Sequence, residues 1–185
     1  MEPLTLIAGP CVIENESTVN EICAYLKEIT KKLNINFIFK ASFDKANRSS
    51  INSFRGPGID KGLEILEKIK NKYDVKTLTD IHESFQAKLA AEVVDVIQIP
   101  AFLSRQTDLL VSATKAVIKK NKIINIKKGQ FLAPWDMEQV INKIKESGLS
   151  PNSKRIWLTE RGNSFGYNTL VVDFRSLGEL KKFKC

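Results

Sequence analysis

The chain has 185 residues, 43% of them hydrophobic and 27% charged, a composition that supports a folded core and excludes a disordered chain. No apolar run approaches the roughly 20 residues needed to span a bilayer, and MEPLTLIAGPC has neither the basic start nor the long apolar stretch of an export signal. The formal charge of +8 admits nucleic acid, an anionic surface or small anions as partners.

Much of that excess charge lies in KIKNK, KKNK and KKFK, at the ends of helical patterns, where cations complement the helix dipole. A recognition motif or interleaved aromatics would be needed for nucleic-acid binding, and neither is present. The expectation is a protein that engages no nucleic acid and no membrane. The three cysteines are an odd count in a chain without an export signal, which fits a reduced cytoplasmic protein.

In chain order, apolar residues 4–8 end at Gly9-Pro10 and predict a strand. Thr18-Val19-Asn20-Glu21 has the capping-box form and opens a helix, with Val19, Ile22, Leu26, Ile29 and Leu33 at helical spacing and Cys23 on the same apolar stripe. Strands follow at 37–39, 75–81, 94–99, 122–126 and 155–159. Helical patterns lie between them at 59–73, 83–93, 106–120 and 136–147, and a last helix begins near 174. No linker or repeat marks a boundary, so the chain reads as one domain over residues 1–185.

Six β-α units in a row imply parallel strands with right-handed crossovers. Two architectures compete, an open doubly wound sheet and a (β/α)8 barrel with about six of its units present. The C-terminal end of every predicted strand carries polar groups. Cys11 follows the first strand, and Lys40, Lys45, Asn47 and Arg48 the second. Asp80 and His82 follow the third, and Gln98 ends the fourth. Lys127 and Lys128 follow the fifth, Glu160 and Arg161 the sixth. An open sheet gathers its ligand at one switch point, whereas a barrel lets all its strand ends contribute to one mouth. The expectation is therefore an incomplete (β/α)8 barrel of the TIM type, which in full has about 250 residues.

Lys40, Lys45, Arg48, Lys127 and Arg161 would then share that mouth. Two cations about 4 Å apart repel by roughly 4 kcal/mol at an effective dielectric of 20, so the cluster calls for an anion. Arg offers a bidentate fork and Lys a point charge for phosphate or carboxylate, while Asn47, Ser49 and Ser50 add neutral donors.

The motifs AGPCVIE, FKASFDKANRSS, SFRGPG, TDIHE, VIQIPAFLSRQTDLL, INIKKGQFLAPWD and LTERGNSFGYNTLVVDFRSL resemble the 3-deoxy-D-manno-octulosonate 8-phosphate synthases, in the same order, from residue 4 to about 177. The resemblance implies a (β/α)8 barrel, usually homotetrameric. It implies condensation of phosphoenolpyruvate with arabinose 5-phosphate and release of phosphate, on the route to lipopolysaccharide. The related 3-deoxy-arabino-heptulosonate 7-phosphate synthases carry a KPRTS-like stretch where this chain reads KANRSS.

By the resemblance, Lys40, Lys45, Gln98, Lys127 and Arg161 match positions that hold phosphoenolpyruvate. Asn47, Arg48 and Ser49 match positions that bind the pentose phosphate, and Arg105 matches an arginine that reaches the sugar phosphate of a neighbouring subunit. Cys11 matches the metal ligand of a metal-dependent branch, implying zinc, ferrous iron or manganese. The metal-independent branch has Asn there. The family pattern completes that metal site with a His, a Glu and an Asp from two further strands, which this sequence does not contain. ATKAVIKKNK runs a few residues longer than the family pattern. A barrel opened in this way is expected to expose strand edges and to need a partner for solubility.

Overall fold

A computed structural model describes residues 4–185. Residues 1–3, part of the stretch read for an export signal, lie outside the described residues. The fold is mixed α/β, and it divides into two compact units. The first comprises the described residues up to Asp80 together with Glu92–Val96. The second comprises Ile81–Ala91 and Ile97–Cys185. Among the described residues, no helix is long and apolar enough to cross a membrane.

In the first unit, β1 (Thr5–Val12), β2 (Asn36–Ser42) and β3 (Lys76–Asp80) alternate with α1 (Glu16–Lys32) and α2 (Ile59–Tyr73). β1 pairs with β2 and β2 with β3, both in parallel. The register slips between Ala8 and Cys11, and Cys11 sits at φ 64. The strand therefore continues through Gly9-Pro10, where a terminus was expected. Gly9 is required at this slip, because a Cβ there would lie 1.9 Å from the Lys40 carbonyl oxygen. Four of the five β3 residues are buried, as parallel strands covered on both faces require. Phe39, Phe43 and Leu66 are wholly inaccessible. Asp95, just before the fourth strand, accepts from the Thr77 amide and from Lys70, and its own amide donates to Thr77.

α1 starts one turn earlier than the capping-box reading. Asn15 is the cap: its backbone is extended and its side chain accepts from the Thr18 amide at 2.8 Å. The apolar stripe does bury Val19 and Cys23, but Leu33, at the helix end, is exposed. α2 ends at Asp74 in the left-handed region, which short polar side chains tolerate.

The boundary between units passes through α3 (Gln86–Val93) and β4 (Val96–Ile99). The second unit continues with α4 (Thr107–Lys120), β5 (Ile123–Lys127), α5 (Met137–Glu146) and β6 (Ile156–Thr159). β5 and β6 pair in parallel, with Asn125 opposite Trp157 and Lys127 opposite Thr159. Ile124, Ile126, Ile144 and Ile156 fill the core of this unit without exposure. α4 ends at Asn121, also left-handed, after Lys119 and Lys120. A short antiparallel hairpin follows, β7 (Asn163–Phe165) and β8 (Thr169–Val171), before α6 (Arg175–Lys181). The sequence reading did not anticipate the hairpin.

Candidate active site

The ends of β1, β2 and β3 build a compact polar cluster in the first unit. Alternation along β2 puts Lys40 and Ser42 on one face, and the register that sets Lys40 opposite Leu78 brings Ser42 level with Asp80. The Ser42 hydroxyl accepts from Lys40 Nζ and from Lys45 Nζ, each at 2.9 Å, and donates to Asp80. Lys40 also donates to the Cys11 carbonyl at 3.0 Å, and its ammonium lies 3.8 Å from Asp80 Oδ1. Two ammoniums and one carboxylate leave this cluster with an excess of positive charge, suited to phosphate or carboxylate.

The Cys11 thiol lies within that field. Burial would raise its pKa, but the hydrogen bond with Lys45 and the charges of Lys40 and Lys45 hold it below the usual thiol value, against an opposing contribution from Asp80.

The loop after β2 is laced to itself. The Lys45 amide donates to the Arg55 carbonyl at 2.7 Å, Gly58 to Phe43 at 3.1 Å, and Arg48 Nε to the Phe54 carbonyl at 3.2 Å. Arg55 grips Asp44 with two parallel hydrogen bonds. Asn47, Arg48 and Ser49 are exposed on this loop, where they can meet a ligand.

In the second unit, Gln98, Asn125 and Thr159 form a chain across three strands. Asn125 donates to Gln98 at 3.2 Å, and Thr159 donates to Asn125 at 2.7 Å. Lys127 is half-buried and Arg161 is exposed. The backbone amide of Arg161 donates to Glu160 Oε1 at 3.0 Å. Arg105 stacks over the Phe131 ring at 5.5 Å, and its carbonyl accepts from Lys143. Both Arg105 and Phe131 line an open depression of about 620 Å³, together with Phe102, Asp136 and Lys143.

The structure thus brings Cys11, Lys40 and Lys45 together in one cluster. Asn47, Arg48 and Ser49 lie farther along the loop that carries Lys45, exposed and outside the cluster. Three residues to which the sequence assigned no ligand have defined places. Ser42 and Asp80 organise the lysines, and Lys128 is wholly buried beside Glu160. The signal for Ser42 was available, since it stands two residues from Lys40 on one strand.

Among the described residues, no group of three or more His, Cys, Asp and Glu could hold a metal ion. Catalytic zinc usually takes three protein ligands, and the cations nearest Cys11 oppose another. The described residues do not by themselves fit a metal centre.

A model of the DAHP synthetase I family matches residues 2–185. The chain is 55% identical over 178 residues to a 2-dehydro-3-deoxyphosphooctonate aldolase of Fusobacterium nucleatum, covering 96% of this chain and 61% of that protein. It is 55% identical over 180 residues to one of Cyanothece, covering 97% and 63%. The same identity holds over 184 residues with one of Francisella tularensis subsp. holarctica, covering 100% and 64%. The chain therefore spans about three fifths of the length of the curated relatives it matches.

Proposed function

The chain belongs to the DAHP synthetase I family, and on that premise we propose that it serves the condensation of phosphoenolpyruvate with arabinose 5-phosphate and water. The products are 3-deoxy-D-manno-octulosonate 8-phosphate and phosphate. The observation that carries this reading is the Lys40–Ser42–Lys45 cluster, a preformed anion site at strand ends.

In that reaction, the Lys40 and Lys45 ammoniums neutralise the enolpyruvate, so that a second anion can approach it. Asn47, Arg48 and Ser49 take the pentose phosphate, and the family resemblance carries Gln98, Lys127 and Arg161 over to phosphoenolpyruvate. Arg105 is carried over to the sugar phosphate of a neighbouring copy in a homotetramer. Holding two reactants in register removes much of the entropic barrier. The enol carbon attacks the aldehyde carbon, whose oxygen takes a proton. Positive charge develops at the carbon bearing the phosphate ester; water adds there, and phosphate leaves.

No step is routed through a metal. Zinc, ferrous iron or manganese at Cys11 remains the family's implication, and ligands beyond the described cluster would have to complete it. The reading of the fold as part of a (β/α)8 barrel and a cytoplasmic location belong to the same proposal. Both rest on family membership and on the names of the relatives.

The test is a phosphate-release assay with both substrates, beside calorimetry with phosphoenolpyruvate alone. Binding lost in Lys45→Ala supports the site. A chain that gives no heat and no thermal shift with phosphoenolpyruvate overturns it.

A further inference from the structure

We infer that Lys128 is a positioning residue, one that fixes the loop carrying Arg161 through the carboxylate of Glu160. The inference rests on the anion-binding reading of Lys127 and Arg161. Lys127 and Lys128 are neighbours at the end of β5, and neighbouring strand residues face opposite ways. Lys127 is half-buried, whereas Lys128 has no exposure at all.

The Lys128 ammonium lies within hydrogen-bond reach of four oxygens: the carbonyls of Gly129, Leu132 and Gly162 at 3.1–3.2 Å, and Asn163 Oδ1 at 2.9 Å. Glu160 Oε1 stands 3.5 Å away and is itself almost buried. These partners belong to two segments, residues 129–132 after β5 and residues 160–163 after β6. The Lys128 amide adds a further tie, to the Thr159 carbonyl at 2.8 Å. Asn163 closes the ring by donating to the Leu132 carbonyl at 2.7 Å.

Glu160 passes the constraint on. Its Oε1 accepts the backbone amides of Arg161 and Gly162, and its other oxygen accepts the Ser176 hydroxyl. The backbone of Arg161 therefore hangs on an oxygen that Lys128 faces. Gly162, at φ 82, gives the turn its left-handed step.

A space-filling role alone explains this poorly. An apolar side chain of similar volume often serves stability as well as a buried ion pair or better, because desolvating two charges is costly. What an apolar residue cannot do is tie three carbonyls and a carboxylate from two loops to one point. Lys128 and Glu160 also cancel each other's charge, so they organise the loop without competing with Lys127 and Arg161 for an anion.

The test uses the full chain with Lys128→Met, Glu160→Gln and a core control, Ile144→Ala, each at a temperature where the variant is folded. Hydrogen exchange at the Arg161 and Gly162 amides is read together with calorimetric affinity for phosphoenolpyruvate. Lys128→Met is expected to speed exchange at both amides and to weaken phosphoenolpyruvate binding, each by about tenfold. Glu160→Gln, which retains an oxygen acceptor but not the charge, should move both in the same direction by less, and it serves alone if Lys128→Met does not fold. Ile144→Ala should lower the melting temperature and leave affinity unchanged. Unaltered exchange, or unaltered affinity in a folded Lys128 or Glu160 variant, overturns the inference. If the unmodified chain binds no phosphoenolpyruvate, the anion-site reading fails and takes this inference with it. Faster exchange in Lys128→Met would then show a loop anchor only.

Discussion

The hydroxyl of Ser42 donates to Asp80 while its oxygen accepts from Lys40 and Lys45. With its hydrogen committed to Asp80, Ser42 turns both lone pairs toward the ammoniums. Ser42→Ala removes the shared acceptor and leaves the lysines to find separate positions. Hydrogen bonds to charged groups contribute about 1.5–3 kcal/mol, so phosphoenolpyruvate affinity should fall by about tenfold to a hundredfold in calorimetry. Asp80→Asn preserves the shape but removes the counter-charge, and should lower stability to urea. An alanine variant that binds as tightly as the parent would show that the shared hydroxyl does not organise the site.

Cys11 should be the reactive thiol of this chain. The Lys45 hydrogen bond and the two lysine charges overcome the effect of burial and lower its pKa, while burial pushes Cys23 up to about 11 and raises Cys185 as well. The thiolate is the nucleophile, so a lowered pKa means faster alkylation at neutral pH. Iodoacetamide followed by peptide mass mapping should label Cys11 first. The midpoint of its pH–rate curve should lie below that of an ordinary thiol. Lys45→Met should move that midpoint upward, and a midpoint indifferent to Lys45 would contradict the assigned cause.

Glu160 should contribute to acid sensitivity. Desolvation raises its pKa, but this is outweighed by the Ser176 hydroxyl, the Gly162 amide, the Lys128 charge and the Arg161 amide, and the net shift is downward. A carboxylate with a depressed folded pKa stabilises the protein fully above its unfolded value of about 4.3. That contribution is lost as pH falls through the folded value. Chemical denaturation between neutrality and strong acid should show a decline beginning near or below pH 5 that is shallower in Glu160→Gln. Equal slopes in both proteins would remove Glu160 from the account.

Gly9→Ala should disrupt the first unit. The added Cβ would meet the Lys40 carbonyl oxygen at 1.9 Å, and because neither the Cβ nor the main-chain oxygen moves with a side-chain rotamer, no rotamer relieves the collision. β1 and β2 would have to separate where Lys40 is held. A loss above about 3 kcal/mol is expected, at the upper end for overpacking, together with weaker phosphoenolpyruvate binding. A variant with the parent's melting temperature would mean that the two strands can part freely.

The alternation of β and α elements was readable because core-facing apolar residues repeat at two distinct periods; each strand from β1 to β6 overlaps the run expected for it, while β1 and β2 extend well beyond theirs. The cap of α1 was misread because Asn15 and Thr18 are both good capping residues three apart, and only the extended backbone at Asn15 decides between them. The β7–β8 hairpin was missed because its strands are three residues long and largely exposed, so burial leaves no periodic trace. Lys40 and Lys45 were visible as charge density. Asp80 was visible at a strand end as well, but its link to the lysines through Ser42 was not, since it depends on the register between β2 and β3. The division of labour between Lys127 and Lys128 is invisible in KK; one step along the pleat separates a half-buried cation from a wholly buried one.

The left-handed backbone at Cys11 decides which side chains position 11 accepts without strain. Asn is among the residues that accept a positive φ most readily, and most other side chains are strained there. The local main chain is already shaped for an amide. Cys11→Asn would thus change one side chain's chemistry on a main chain whose slipped register between β1 and β2 already holds a left-handed step.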